Sequence, residues 1–154
     1  MKYLIYPDLP TVPEELLEHP DSIISRPYDK EHPPASVVNF FETRRVSKQL
    51  DEWVRDHVKA DCAVQYQIIN SHIVPHRDIR RKMACNYLLQ KGGEDATICF
   101  FDQEKVFQES YPMLERVWHI LKTDEFHTVT GVTGIRVALS ICFDRFGWDQ
   151  GFKE

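Results

Sequence analysis

This 154-residue chain lacks any apolar run approaching the roughly 20 residues that a membrane span requires. Residues 1–6 are too short and too weakly charged for a secretory signal, so no membrane association and a cytoplasmic location are expected. Positive charge is outweighed: 19 Lys and Arg stand against 24 Asp and Glu, for a formal charge of −5. No general basic field is present to gather nucleic acid, which is not an expected partner. Cysteine is limited to Cys62, Cys85, Cys99 and Cys142, without the paired CxxC spacing of a structural zinc site. Each lies among apolar neighbours and is expected to be a reduced core thiol. Internal repeats, low-complexity tracts and linkers are absent too, so one domain spanning 1–154 is expected. Its 42% hydrophobic content is enough for a core without staples.

Proline is concentrated in the first third, at Pro7, Pro10, Pro13, Pro20, Pro27, Pro33 and Pro34. Residues 1–44 therefore read as a peripheral arm of short strands and turns, with one helical turn at 14–18. Over 45–58, Val46, Leu50, Trp53, Val54 and Val58 recur at helical spacing between charges, which predicts one amphipathic supporting helix. Beyond it the texture becomes short runs of β-formers at 63–69, 83–89, 97–101, 117–121, 126–130 and 135–143. Gly92-Gly93 and the stretch 131–134 sit where tight reversals belong. The 63–143 segment is thus expected to be a mostly antiparallel β-core, sandwich or barrel.

His76 and Asp78 are two residues apart, so on an extended segment both side chains leave the same face and can grip one ion. His127, flanked by Phe126, Thr128 and Val129, is the candidate third ligand. Two histidines and one carboxylate occupy one face of an octahedron and leave positions open, an arrangement suited to Fe(II) with a chelating cosubstrate and O2. His57, His72 and His119 stand in no spacing that improves on this set. A hairpin turning at Gly131-Val132 would place Arg136 directly opposite His127, giving a fork-shaped carboxylate binder beside the metal. Alternation from Arg136 sends Ala138, Ser140 and Cys142 to its side. Val137, Leu139, Ile141 and Phe143 go to the other, where the 45–58 helix can pack.

Together His76-Arg77-Asp78, His127 and Arg136 resemble the 2-oxoglutarate/Fe(II) oxygenase superfamily. The stretch from Arg81 through Met83, Asn86, Tyr87 and Leu88, followed by Gly92-Gly93 and Phe100-Phe101, is similar to the corresponding segment of prolyl hydroxylases. The resemblance implies a double-stranded β-helix (jelly-roll, cupin-like) fold with one or two supporting helices. It also implies a dioxygenase in which Fe(II) and 2-oxoglutarate activate O2, with succinate and CO2 as co-products. By it, Tyr87 matches a residue that hydrogen-bonds the distal carboxylate of 2-oxoglutarate, and Ser140 matches a hydroxyl residue four positions after the arginine. The sequence departs from the pattern at Leu89, where asparagine is usual.

The resemblance tilts the substrate toward a peptidyl or amino-acid group, with a small molecule also open. Arg77, Arg80 and Arg81 form either a solvated face or a greeting for an acidic substrate. A cupin-like metal-binding protein with a non-oxygenase or sensing role is the alternative, followed by a noncatalytic β-sandwich interaction module.

Overall fold

The computed structural model describes residues 3–26, 41–58, 62–70, 73–77 and 83–142. Asp78, Arg80, Arg81, His72 and Phe143 lie outside them. Among the described residues, short runs of β-branched and aromatic residues form ten strands: β1 (Leu4–Ile5), β2 (Phe41–Arg45), β3 (Ala63–Ile69), β4 (Ile73–His76), β5 (Met83–Gln90), β6 (Thr97–Phe101), β7 (Phe107–Pro112), β8 (Trp118–Lys122), β9 (Phe126–Thr130) and β10 (Arg136–Cys142). They make two sheets, one of six strands in the order β1-β8-β5-β10-β3-β2 and one of four in the order β4-β9-β6-β7. Every strand pair is antiparallel. From β3 to β10 the chain passes from one sheet to the other at each step, except at the β6–β7 hairpin. That alternation is the double-stranded β-helix expected from the sequence.

Side-chain parity divides the interior in two. On β10, Val137, Leu139 and Ile141 join a core with Val46, Leu50, Val54 and Val58 from the helical segment. Ala138 instead faces Leu88, Ile98, Phe100 and Val129 in a second core fed by both sheets. The first is the outer face of the six-stranded sheet, covered by helix α2 (Lys48–His57). Ser47 caps α2, its hydroxyl accepting from the Leu50 N–H at 3.1 Å, and Asp51 pairs with Arg55 one turn on at 2.9 Å. The helix is three residues shorter at its start than 45–58 because Arg45 belongs to β2 and Ser47 caps. Each fully buried aliphatic on this face contributes about 1.5–3 kcal/mol.

The proline-rich arm is tied to the same face. It carries the 3-10 turn Glu14–Leu16 and a short helix α1 (Pro20–Ser25), and Val12 and Ile23 enter the first core. The Trp118 indole N–H donates to the Pro10 carbonyl at 3.0 Å, and the Glu18 N–H donates to the Tyr66 hydroxyl at 3.2 Å. Arg44 is buried: its Nε donates to the Arg26 carbonyl at 2.7 Å and its Nη1 to the Thr43 carbonyl at 3.0 Å. The four cysteines form no disulfide; Cys85 is buried and the others are half-buried. No helix among the described residues is long and apolar enough to cross a membrane.

The hairpin expected at Gly131-Val132 is not formed. β9 lies between β4 and β6, whereas β10 lies between β5 and β3 in the other sheet. The two glycine loops explain why. Each carries the chain between sheets, and each packs on the other: the Thr133 and Gly134 N–H groups donate to the Gly92 carbonyl at 2.9 and 2.7 Å. Gly131 has φ +75, and a Cβ there would lie 2.4 Å from the Asp95 carbonyl oxygen; one on Gly93 would lie 2.1 Å from that of Gly131. Backbone groups that would have closed a two-residue hairpin are engaged across this contact, which only glycine admits.

Candidate metal and anion site

β9 owes its strand to β-branched and aromatic neighbours, and alternation sends His127 and Val129 inward while Phe126, Thr128 and Thr130 face away. The residues opposite His127 are His76 on β4 and Phe100 on β6. Two of the three expected metal ligands are therefore direct cross-strand partners, with ring centroids 4.5 Å apart at 51°. His127 is buried and His76 half-buried. The His127 Nδ1 lies 2.7 Å from the Glu125 carbonyl oxygen. A carbonyl only accepts, so Nδ1 carries the proton and Nε2 carries the lone pair, the form in which imidazole binds a metal. Asp78 follows His76 by two residues and lies outside the described residues; among those described, no set of three His, Cys, Asp or Glu converges.

Arg136 is not beside His127. It begins β10 in the opposite sheet, next to the crossing from the far end of β9, so about 10 Å of strand separates the two along β9. Its pairing with β3 is unbroken from Arg136↔Ile69 to Cys142↔Ala63, so the parity read from the sequence stands: Arg136, Ala138 and Ser140 share the face between the sheets. Arg136 is 3% exposed and its Nε has no hydrogen-bond partner among the described residues. Burial alone pulls it down to about 10, and no carboxylate offsets that; it remains a cation at neutral pH.

Ser140 reaches this face as expected, opposite Asn86 on β5 and Gln65 on β3. Tyr87 does not. It opposes Leu139 on β10 and Trp118 on β8, and its ring lies 4.9 Å from the Trp118 ring in the helix-covered core. A shift of one residue exchanges the faces of a strand, so the side chains that β5 presents between the sheets are Asn86 and Leu88.

The same parity exposes two residues passed over in the sequence. Asn86 opposes His119 on β8, and both are buried. The Asn86 Oδ1 and the His119 Nε2 lack partners, as the Arg136 Nε does. Burial, then the Arg136 charge, push His119 down to about 4, so it is neutral near pH 7. The alternation of Trp118 and Ile120 outward against His119 and Leu121 inward was the available signal.

No family model and no curated protein matches this sequence. Among solved structures, the fold is similar to a prolyl-4-hydroxylase from Pseudomonas putida, at 15% identity and a TM-score of 0.50, over 76% of this chain and 78% of that one. An oxidoreductase of the 2OG-Fe(II) oxygenase family from Burkholderia pseudomallei matches at 14% identity and a TM-score of 0.45, over 70% of this chain. The chain spans 56% of that protein's length. The likeness to the prolyl-4-hydroxylase, joined to the strand order, establishes that this chain has the double-stranded β-helix fold of the 2-oxoglutarate/Fe(II) oxygenases.

Proposed function

We propose that this chain is an Fe(II)- and 2-oxoglutarate-dependent dioxygenase hydroxylating a peptidyl, amino-acid or small-molecule substrate. The single observation that carries the reading is Arg136, a buried cation with no anion beside it among the described residues, on the inter-sheet face of a fold whose other wall pairs His76 with His127. A charge taken from water without a partner opposes folding and is retained where it serves a ligand.

His76 and His127, with Asp78 from the sequence, would hold the metal. Two neutral imidazoles and a carboxylate suit Fe(II), and the bond from Nδ1 of His127 to the Glu125 carbonyl orients its ring and fixes its tautomer. Bound iron and 2-oxoglutarate supply the oxidising chemistry, with succinate and CO2 as co-products. The protein's part is to hold and shield. Arg136 supplies a fixed positive charge for the carboxylate at the far end of the cosubstrate. Phe100, its ring 6.1 Å from that of His127, and the apolar residues around it keep the inter-sheet space dry. Ser140 adds a hydroxyl on the Arg136 face.

Anaerobic titration of the purified chain with Fe(II) and 2-oxoglutarate tests this, with a weak visible charge-transfer band as the expected result. Absence of the band, together with no uncoupled succinate formation in air, refutes it. His127→Ala is expected to lose metal binding while keeping the native far-UV circular dichroism.

A further inference from the structure

We propose that the outer face of the four-stranded sheet, where Phe107, Phe101 and Phe126 lie in a row beside Lys105 and Arg77, is a docking surface for an extended acidic peptide segment that also carries an apolar side chain. The surface lies apart from the inter-sheet space, and the proposal stands whether or not the chain binds iron.

Register builds the row. Phe101 on β6 is the direct partner of Phe107 on β7 and of Phe126 on β9, so the three occupy one face across neighbouring strands. That face is the outer one, because Phe100 and His127, one residue away on β6 and β9, turn inward. The Phe101 and Phe107 rings meet edge-on, with centroids 6.2 Å apart. Phe107 is 56% exposed and its neighbour Val106 55%, which makes them the two most exposed large apolar side chains among the described residues. Apolar groups left in water side by side, rather than scattered singly, mark a contact surface.

The charges select the partner. The Arg77 guanidinium lies 5.4 Å from the centroid of the Phe126 ring and the Lys105 ammonium 5.5 Å from it. Both cations are exposed, and neither has an ion-pair partner among the described residues. Two like charges gathered on one ring repel each other, and a carboxylate set between them reverses the sign of that interaction. The nearby acids are largely engaged. Asp102 is turned into the β6–β7 turn, its Oδ1 accepting from the Glu104 and Val106 N–H groups at 2.9 Å each and its Oδ2 from the Gln108 amide at 3.2 Å. Glu125 pairs with Lys122 at 3.6 Å. Glu104 is the remaining carboxylate of the turn, and the two cations outnumber it.

The spacing then fits an extended chain. Phe126 and Phe107 are two strands apart, roughly 10 Å, a span that about three residues of extended peptide cover. A segment lying across the row meets Arg77 and Lys105 with an acidic side chain at one end. Two residues on, its next side chain of the same face reaches Phe101 and Phe107, so that position is apolar.

The test is fluorescence anisotropy of a labelled synthetic peptide repeating Glu-Ser-Phe-Ser, with Lys-Ser-Phe-Ser and Glu-Ser-Ser-Ser repeats as controls. The first is expected to bind at least about tenfold more tightly than either control. Phe107→Ser should weaken it about tenfold, and Lys105→Asn and Arg77→Gln about threefold each; asparagine suits the φ of +64 at Lys105. Melting should not change in these exposed variants, and Val106→Ser repeats the apolar arm should Phe107→Ser melt early. Equal affinity for the glutamate and lysine repeats overturns the proposal, as does native affinity in every variant. Tighter binding of single-stranded oligothymidylate, which uses the same rings and cations, overturns it in favour of nucleic acid. Self-association in sedimentation that Phe107→Ser abolishes overturns it in favour of a second copy of the chain.

Discussion

Replacing Arg136 by methionine should make the protein more stable and abolish its proposed binding of 2-oxoglutarate. Arg136 is 3% exposed, and burial lowers its guanidinium well below the usual arginine value, to about 10, with no compensating carboxylate among the described residues. At about 1.4 kcal/mol per unit, that corresponds to roughly 3 kcal/mol of opposition to folding. The arginine is charged in both folded and unfolded chains near pH 7, so this cost is flat with pH there. Methionine fills much of the same space without a charge. Allowing about 1 kcal/mol for imperfect packing, the net gain is about 1–3 kcal/mol, within the range seen when buried ions give way to apolar residues. For a domain of this size each kcal/mol moves Tm by about 2–4 °C, so Arg136→Met should melt roughly 2–12 °C above the native chain without ligand. With metal present and 2-oxoglutarate at about a hundred times Kd, the native chain should gain about 2.7 kcal/mol and the variant almost nothing. Scanning calorimetry with and without 2-oxoglutarate reads both. A ligand-free Tm below the native value means that Arg136 has a protein partner after all, and equal stabilisation of both chains by 2-oxoglutarate removes Arg136 from the site.

Other perturbations probe the frame around that charge. Gly131→Ala forces a side chain onto φ +75 and to 2.4 Å from the Asp95 carbonyl oxygen, a neighbour that cannot swing aside. A loss of about 3 kcal/mol or more is expected in denaturant unfolding, and a change under about 1 kcal/mol would show the glycine interlock to be slack. Leu50→Ala, at the centre of the helix-facing core, should cost about 2–5 kcal/mol while leaving Fe(II) affinity unchanged, since the helix and the metal face lie on opposite sides of the six-stranded sheet. His119, held at about 4 against an ordinary 6.5, refuses a proton that the unfolded chain takes. Above pH 6.5 both states are neutral and it has no effect; from pH 6.5 down to about 4 it lowers stability by up to about 1.4 kcal/mol per unit. Between pH 7 and 4.5 the native chain should therefore lose roughly 2–3 kcal/mol more than His119→Leu, and identical slopes in urea titrations would contradict its burial as a neutral imidazole.

The parts legible in the sequence were those with strong periodicity. The helix at 45–58 and the strands that became β3, β5, β6, β8, β9 and β10 carry clear apolar spacing, because each buries at least one full face. The strands not assigned individually, β1, β2, β4 and β7, are all sheet edges. β2 ends in Thr43-Arg44-Arg45, β4 contains Pro75 and β7 ends in Pro112. Edge strands are blunted with charge and proline, which erases the alternation by which a strand is recognised. In the site, local spacing served well over two residues and badly over ten. The parity of β10 was right because it needs only alternation. Tyr87 was misplaced because a similarity of motif says nothing about which face a strand turns inward, and one residue of offset reverses the answer.

The failed hairpin shows why the topology matters more to this site than its local motifs. Had β9 and β10 paired, His127 and Arg136 would stand side by side on one wall, and a dicarboxylate joining them would lie flat along a sheet surface, open to water. Because the chain crosses at Gly131, the histidine pair is held by the four-stranded sheet and the arginine by the six-stranded one. A ligand reaching from one to the other must then lie between the sheets, where the low dielectric strengthens its interaction with Arg136 and where Phe100, Leu88 and Val129 exclude solvent. The length of β9 sets the spacing between the two ends, and the glycine interlock keeps it fixed. The fold thus sets two weak sequence signals, a histidine pair and a distant arginine, on two different sheets.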